Sequence, residues 1–263
     1  MDALTLNQPE ETPLTNETIA CQMAHRTIRA FTEDKVSAEQ VDTLLRVARR
    51  APSSAFLQQC TIIHVQSPQV RAQIHAASGQ GHVGGSKGEL FIFVVDLFRN
   101  SQIRAEAGLD NEPLARMNLF MEAAEDTVLA GQNMVIAAES MGLGTCYLGS
   151  INADPRRVIA ALNLPKFTYP LFGLLVGQAA QQPQYKARLP LEVTTGVDGY
   201  PYVDSYREAL AEYDAVLQEY YELRDTANRL DSFTNQIRVK PGKGPAEGSP
   251  MLEILREQGL VLA

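Results

Sequence analysis

Leu90, Phe91, Ile92, Phe93, Val94 and Val95 form one unbroken apolar run between Glu89 and Asp96. A half-exposed strand alternates polar and apolar residues, so a run without alternation predicts a strand buried on both faces. Residues 169–177 read the same way. Shorter strands are expected at 61–65, where the residues are β-branched, and at 144–149, entering a turn. Helical patterns surround them. Residues 17–25 give a short helix. Ser37 caps the next, with Gln40 completing a capping box ahead of the Val41, Leu44, Leu45, Ala48 stripe, and Pro52 breaks it. Pro68 opens a helix to about residue 77. A long one is expected over 113–141, ending at Gly142. Asp154 and Pro155 start another, reaching about 162. Further helices are expected at 205–223, 226–237 and 251–258, the last stopped by Gly259, with a flexible loop over 239–250. Helices exceed strands and no regular βαβ alternation occurs, which predicts an α+β fold over a doubly wound one.

With 263 residues, 45% hydrophobic and 21% charged, the chain has the composition of a globular protein. Its net charge of −8 argues against nucleic acid as a partner. No apolar run approaches a membrane span. The polar, acidic start does not read as a signal peptide, so residues 1–14 are expected to be a disordered tail and 15–263 one domain. Cys21, Cys60 and Cys146 are odd in number and far apart, which suggests reduced thiols and a cytoplasmic protein. No Cys/His cluster points to a metal.

Against that acidic background, two short basic clusters stand out: His25, Arg26 and Arg29, and Lys186 with Arg188. Guanidinium and ammonium groups are strong partners for phosphate, so concentrated positive charge suggests one small anionic ligand. Taken singly, the first cluster also fits a helix C-terminus and the second a solvated loop. Gly79, Gly81 and Gly84 match G-x-G-x-x-G. That pattern binds dinucleotides only between a strand and a helix. Here a helix precedes it and a strand follows, so it reads as a loop whose glycines allow close backbone approach.

In order along the chain, several pieces resemble the nitroreductase superfamily. These are His25–Arg29 with Phe31, Ser53 and Ser54 with Phe56 to Gln58, and Gly79 and Gln80 with His82. Residues 137–144 follow, leading into Tyr147, Leu148 and Gly149. Then come 171–173, Lys186 and Arg188 before Leu189 and Pro190, Asn228 with Arg229, and Leu252 with Gly259. The resemblance covers over nine tenths of the chain and is strongest to the NADPH-dependent branch of oxygen-insensitive nitroreductases and flavin reductases.

The resemblance implies an α+β fold with a mixed, mostly antiparallel sheet flanked by helices. It also implies an interlocked homodimer whose late region, from about residue 191 to 263, embraces the partner. FMN would be the cofactor, NADPH the electron donor, and a small molecule such as a nitroaromatic, quinone or free flavin the acceptor. His25, Arg26, Thr27 and Arg29 would bind the FMN phosphate and ribityl groups, joined by Lys186 and Arg188. Pro52, Ser53, Ser54 and Leu57 would line the ring from the other chain. Gln80 would bond its pyrimidine, while Tyr147, Leu148, Gly149 and Ser150 would cover one face. Arg224 and Arg229 match positions suited to the NADPH 2′-phosphate. No side-chain acid or base is assigned. Ser150 and Asn152 stand where this branch commonly has a second glycine and an arginine. The competing expectations are the same fold with another reductive chemistry, such as dehalogenation, or a non-enzymatic FMN-binding module.

Overall fold

The unbroken apolar run is a central strand. In the computed structural model, which describes residues 8–224, 231–241 and 249–262, four strands form one antiparallel sheet. They are β1 (Cys60–Val65), β2 (Glu89–Asp96), β3 (Gly144–Leu148) and β4 (Thr168–Gly177), in the order β1-β2-β4-β3. β2 and β4 hold the middle, and Leu90 to Val95 are at most 1% exposed. The helices among the described residues are α1 (Glu17–Met23), α2 (Ala38–Ala48), α3 (Pro68–Ser78), α4 (Phe98–Glu106), α5 (Met117–Ser140), α6 (Pro155–Ala161), α7 (Leu191–Thr194), α8 (Tyr206–Ala209), α9 (Ala211–Arg224), α10 (Phe233–Val239) and α11 (Met251–Glu257).

The chain divides into two compact units, one of Thr27–Gln182 with Pro250–Ala263, the other of Met1–Arg26 with Pro183–Ser249. In the larger unit the sheet is the middle of three layers. Because strand side chains alternate, Leu90, Ile92 and Val94 pack with Ile74 of α3 and Val158 of α6. Phe91 and Phe93 face the other way, onto Leu44 of α2 and Met134 of α5. Ile254 and Leu255 of α11 close a third cluster around Val95, Phe120 and Tyr169. Arg156 of α6 pairs with both Glu253 and Glu257 of α11.

Local chemistry sets most helix ends. Ser37 and Gln40 form the expected capping box. Ser67 caps α3 with Pro68 in its first turn, and Asp154 caps α6 ahead of Pro155. α5 stops before Gly142 and α11 before Gly259, both glycines at positive φ. The long helix does not begin at 113. A 3-10 turn over Glu112–Ala115 comes first, and extended Arg116 (φ −83°, ψ 144°) separates it from α5. α4 falls inside a stretch that carries no helical stripe, because Ser101 is its one buried residue. The helix expected over 205–223 is broken at Leu210 (φ −105°, ψ 9°) into α8 and α9.

Pro170 sits within the central strand β4, where a missing N–H would normally break the ladder. A bulge accommodates it: Val94 pairs with Pro170 and Phe93 with Phe172, leaving Leu171 over. The Asn152 side chain donates to the Leu171 carbonyl (2.8 Å) and accepts from the Tyr169 hydroxyl (2.9 Å). Asn152, where the resemblance led us to look for an arginine, thus serves the bulge.

The smaller unit holds α1 and α7 to α10, with a modest core of Leu210, Tyr213 and Leu217 against Phe233. Asp214 of α9 accepts the Thr234 N–H at the start of α10 (3.1 Å). Residues 8–14 of the expected tail are exposed and carry no helix or strand. Residues 1–7 of the expected tail, 225–230 at the start of the helix expected over 226–237, 242–248 of the late loop, and 263 lie outside the described residues.

Candidate functional site

Three segments far apart in sequence meet at one edge of the larger unit. The chain leaving Arg26 runs parallel to β3: Thr27 bridges to Thr145, and the Ile28 N–H donates to the Thr145 carbonyl (2.8 Å). The approach is tight enough to require Gly144, since a Cβ there would lie 2.7 Å from the Ile28 side chain. The loop ahead of β2 comes to the same strand, with His82 Nε2 3.9 Å from Cys146 Sγ. Burial, and after it the Arg29 charge, holds the His82 imidazole below its usual pKa, so Arg29 and the Gln80–His82 turn share one neighbourhood. Removing that charge in Arg29→Met is expected to raise the His82 pKa, read by NMR titration of the imidazole. An unmoved midpoint would separate the two residues.

The turn that carries Gln80 is held from below. Arg71 of α3, 7% exposed, donates to three carbonyls: Val83 (3.0 Å), Lys87 (2.7 Å) and Gly88 (2.7 Å). Tyr147, next after Cys146, is partly exposed. Its hydroxyl donates to Gln132 (3.3 Å) and its ring stands edge-on to Phe172, 5.2 Å between centroids. Burial, with Glu139 adding, pushes its phenol above the ordinary range. Leu148 is buried, and Gly149 opens a short 3-10 turn that includes Ser150.

Pro52, Ser53, Ser54 and Leu57 lie elsewhere, on the connection from α2 to β1. Among the described residues no hydrogen bond or ring contact joins this loop to the Arg29, His82 and Tyr147 group. Buried Asp126 of α5 organises it, accepting the Ser54 N–H (2.8 Å) and the Gln59 N–H (3.4 Å). Between these anchors Ala55, Phe56 and Gln58 have positive φ, and Phe56 and Leu57 are pushed into solvent. Nearby, burial raises the Cys60 thiol to about 11, so it stays protonated near neutral pH.

Within the smaller unit, Arg26 stacks over the Tyr185 ring at 4.8 Å and donates to the Pro183 carbonyl (3.4 Å). This ties the His25–Arg26 end of one basic cluster to the segment bearing the other. Arg188 donates to the carbonyl of Lys186 (2.7 Å), which curls that loop. Arg224 ends α9, where only the backbone is described, and Arg229 lies outside the described residues.

Arg71, Gly131 and Asp126 escape a sequence reading. Each acts by supporting other residues, and their partners lie 12 to 72 positions away. Gly131 sits mid-helix, where its missing side chain makes room for Phe172 and Tyr147. The donor set fits a flat anionic cofactor. Within the larger unit the Arg29 guanidinium neighbours the Gln80–His82 turn, that turn lies against β3, and Gly149 just past the end of β3 is exposed.

Comparison with known proteins agrees. Residues 23–178 match the model described as Nitroreductase family, and 186–263 that described as Nitroreductase family, C-terminal domain. An oxygen-insensitive NADPH nitroreductase of Salmonella typhimurium is 38% identical over 244 residues, 92% of this chain and 97% of the relative. An FMN reductase (NADPH) of Bacillus subtilis is 36% identical over 224 residues, 84% of this chain and 90% of the relative. The solved structure of a B. subtilis nitroreductase superposes with a TM-score of 0.86 at 33% identity, covering 94% of this chain and all of that one. With a three-layer fold of the same kind and matches along nearly its whole length, the chain belongs to the nitroreductase family.

Proposed function

We propose that the protein is an FMN-dependent oxidoreductase that uses NADPH to reduce small-molecule acceptors such as nitroaromatics, quinones or free flavins. The observation that carries this is the convergence of Thr27–Arg29, the Gln80–His82 turn and Tyr147–Ser150 on one strand edge. FMN held there would supply the redox chemistry between NADPH and the acceptor, while the protein would orient and electrostatically support it.

Arg29 and Arg188, with His25, Arg26 and Thr27, are assigned to the phosphate and ribityl groups, where a guanidinium offers paired donors. Lys186 is assigned to the pyrimidine edge, where a fixed positive charge favours reduction. Gln80 bonds the same edge, and Arg71 holds its turn. Tyr147, Leu148, Gly149 and Ser150 cover one face of the ring. Pro52, Ser53, Ser54 and Leu57 are assigned to the ring bound mainly by a second chain. That division of labour calls for a homodimer. It is supported by the apolar residues Met117, Met121, Val128 and Leu129 that α5 leaves exposed, and the late region from about residue 191 is assigned to embrace the partner. Light scattering should give the mass of two chains. Three cysteines that stand as thiols support a cytoplasmic setting, and no described helix is long and apolar enough to cross a membrane.

The first experiment is the visible spectrum of the purified protein, followed by anaerobic NADPH. Flavin bands that bleach on addition are expected. A protein that stays colourless after incubation with FMN would overturn the reading, and a yellow one that NADPH leaves unchanged would favour the binding module. Arg188→Ala is expected to weaken FMN binding about tenfold or more, through loss of a charge-assisted phosphate contact. Full flavin occupancy after dilution would remove that assignment. Arg224→Ala is expected to raise KM for NADPH several-fold more than for NADH, and equal shifts would remove its 2′-phosphate role.

A further inference from the structure

We infer that a cavity beside the flavin-lining loop selects acceptors that carry a carboxylate, or a similar small anion, on their aromatic ring. The inference rests on the reductase reading, because Pro52 and Ser53 belong both to the cavity wall and to the segment assigned to the flavin ring.

The cavity has a volume of about 500 Å³ and lies in the larger unit, between the end of α2, the turn at Ser54–Phe56, β1 and α5. That is enough for a small aromatic molecule. Its charge is opposite to that of the protein as a whole. Arg49, Arg50 and Arg99 line it against the single carboxylate of Asp126. Arg99 is committed to Asp96 (2.8 Å) and to the Gln58 carbonyl (2.8 Å), and Asp126 to the loop N–H groups. The guanidiniums of Arg49 and Arg50 have no partner among the described residues. Two uncommitted cations on adjacent residues, in a chain of net charge −8, focus a local positive field.

Gln59 gives the second, independent sign. It is 0% exposed and lines the cavity, yet neither its side-chain nitrogen nor its oxygen has a hydrogen-bond partner among the described residues. Buried amides are ordinarily satisfied, and this one contributes nothing to the loop, whose main chain is fixed through the Gln59 N–H instead. The amide offers one face that donates and one that accepts, which suits a carboxylate oxygen beside a second polar group. Phe56, 81% exposed, and Pro52 add flat apolar surface at the same cavity. An aromatic carboxylate matches this set: the ring lies on Phe56 and Pro52, the anion faces Arg49 and Arg50, and an oxygen accepts from Gln59.

The test uses the flavin-loaded enzyme and two nearly isosteric pairs. In the first assay, NADPH-driven reduction of 4-nitrobenzoate is compared with that of neutral 4-nitrobenzamide. The ratio of their kcat/KM values is expected to fall roughly tenfold in the Arg49→Gln/Arg50→Gln double variant and roughly threefold in Gln59→Leu. A ratio that stays constant, whether or not both rates drop together, would overturn the proposal. In the second assay, benzoate and benzamide are titrated into the oxidised enzyme and followed through the flavin absorbance, without NADPH. Tighter binding of benzoate, lost in the double variant, supports the site even if NADPH fails to bleach the flavin, an outcome that would sink the reductase reading alone. Equal affinity for benzoate and benzamide in the wild type would sink the site.

Discussion

Replacing Arg71 with leucine lowers the unfolding free energy by about 3–5 kcal/mol, because the carbonyls of Val83, Lys87 and Gly88 lose their shared donor in one step. A buried carbonyl left without a donor costs about 1–3 kcal/mol, and water reaching the outer edge of the loop recovers part of the sum. For a chain of this size the melting temperature should fall on the order of 10 °C. Lysine restores little, since a compact ammonium does not reproduce the planar fork that reaches three acceptors. The damage should be local first. Backbone amides from Gly81 to Gly88 are expected to exchange with solvent faster than those of β2, and FMN should be held less tightly because Gln80 rides on that turn. Urea denaturation and hydrogen exchange check both parts. A loss below about 1 kcal/mol would show that the three bonds are dispensable.

Gly131→Leu is expected to destabilise the protein by about 3 kcal/mol, although glycine inside a helix is itself about 1 kcal/mol worse than alanine. Propensity and packing oppose each other here, and distance decides between them. A Cβ at position 131 would lie 2.5 Å from Phe172 Cζ and 3.2 Å from the Tyr147 hydroxyl. Phe172 is stacked on Phe93 at 4.8 Å, in the middle of the sheet, so it has nowhere to retreat without opening the core. Gly131→Ala should already lose stability, by less than the leucine variant. Both should alter the near-ultraviolet circular dichroism of the aromatic cluster and weaken flavin binding, since Tyr147 leads into the Leu148–Ser150 turn. A more stable alanine variant, measured by denaturant midpoint, would mean that Phe172 yields easily.

The conformation of the Ser53–Gln58 loop shows why support residues are hard to read from sequence. Asp126 lies 72 positions from Ser54. In the sequence it is one more acid on a mostly apolar helix. Only folding makes it the acceptor that keeps Ala55, Phe56 and Gln58 at positive φ. A non-glycine residue held there carries strain on the order of 1–3 kcal/mol, sustained by the surrounding contacts. The same holds for α4. Its helix depends on Arg99 bonding to Gln58 and Asp96, and no apolar stripe records it.

Local physics lets the sequence by itself determine a good deal of this protein. β2 and β4 declare themselves central by unbroken burial, and α2, α3, α6 and α11 by caps, prolines and stop glycines, because each signal acts within a few residues. The order of the basic clusters and the Gln80 and Tyr147 segments was likewise legible, and it pointed to the nitroreductase family. The tertiary structure alone decided which segments meet. It laid Thr27 against Thr145, brought His82 to Cys146, gave Asn152 to the bulge at Leu171 and left Gln59 buried at the cavity that Arg49 and Arg50 line. These contacts close across many tens of residues, where side-chain pattern carries no information about partners and only the packing of whole elements selects them.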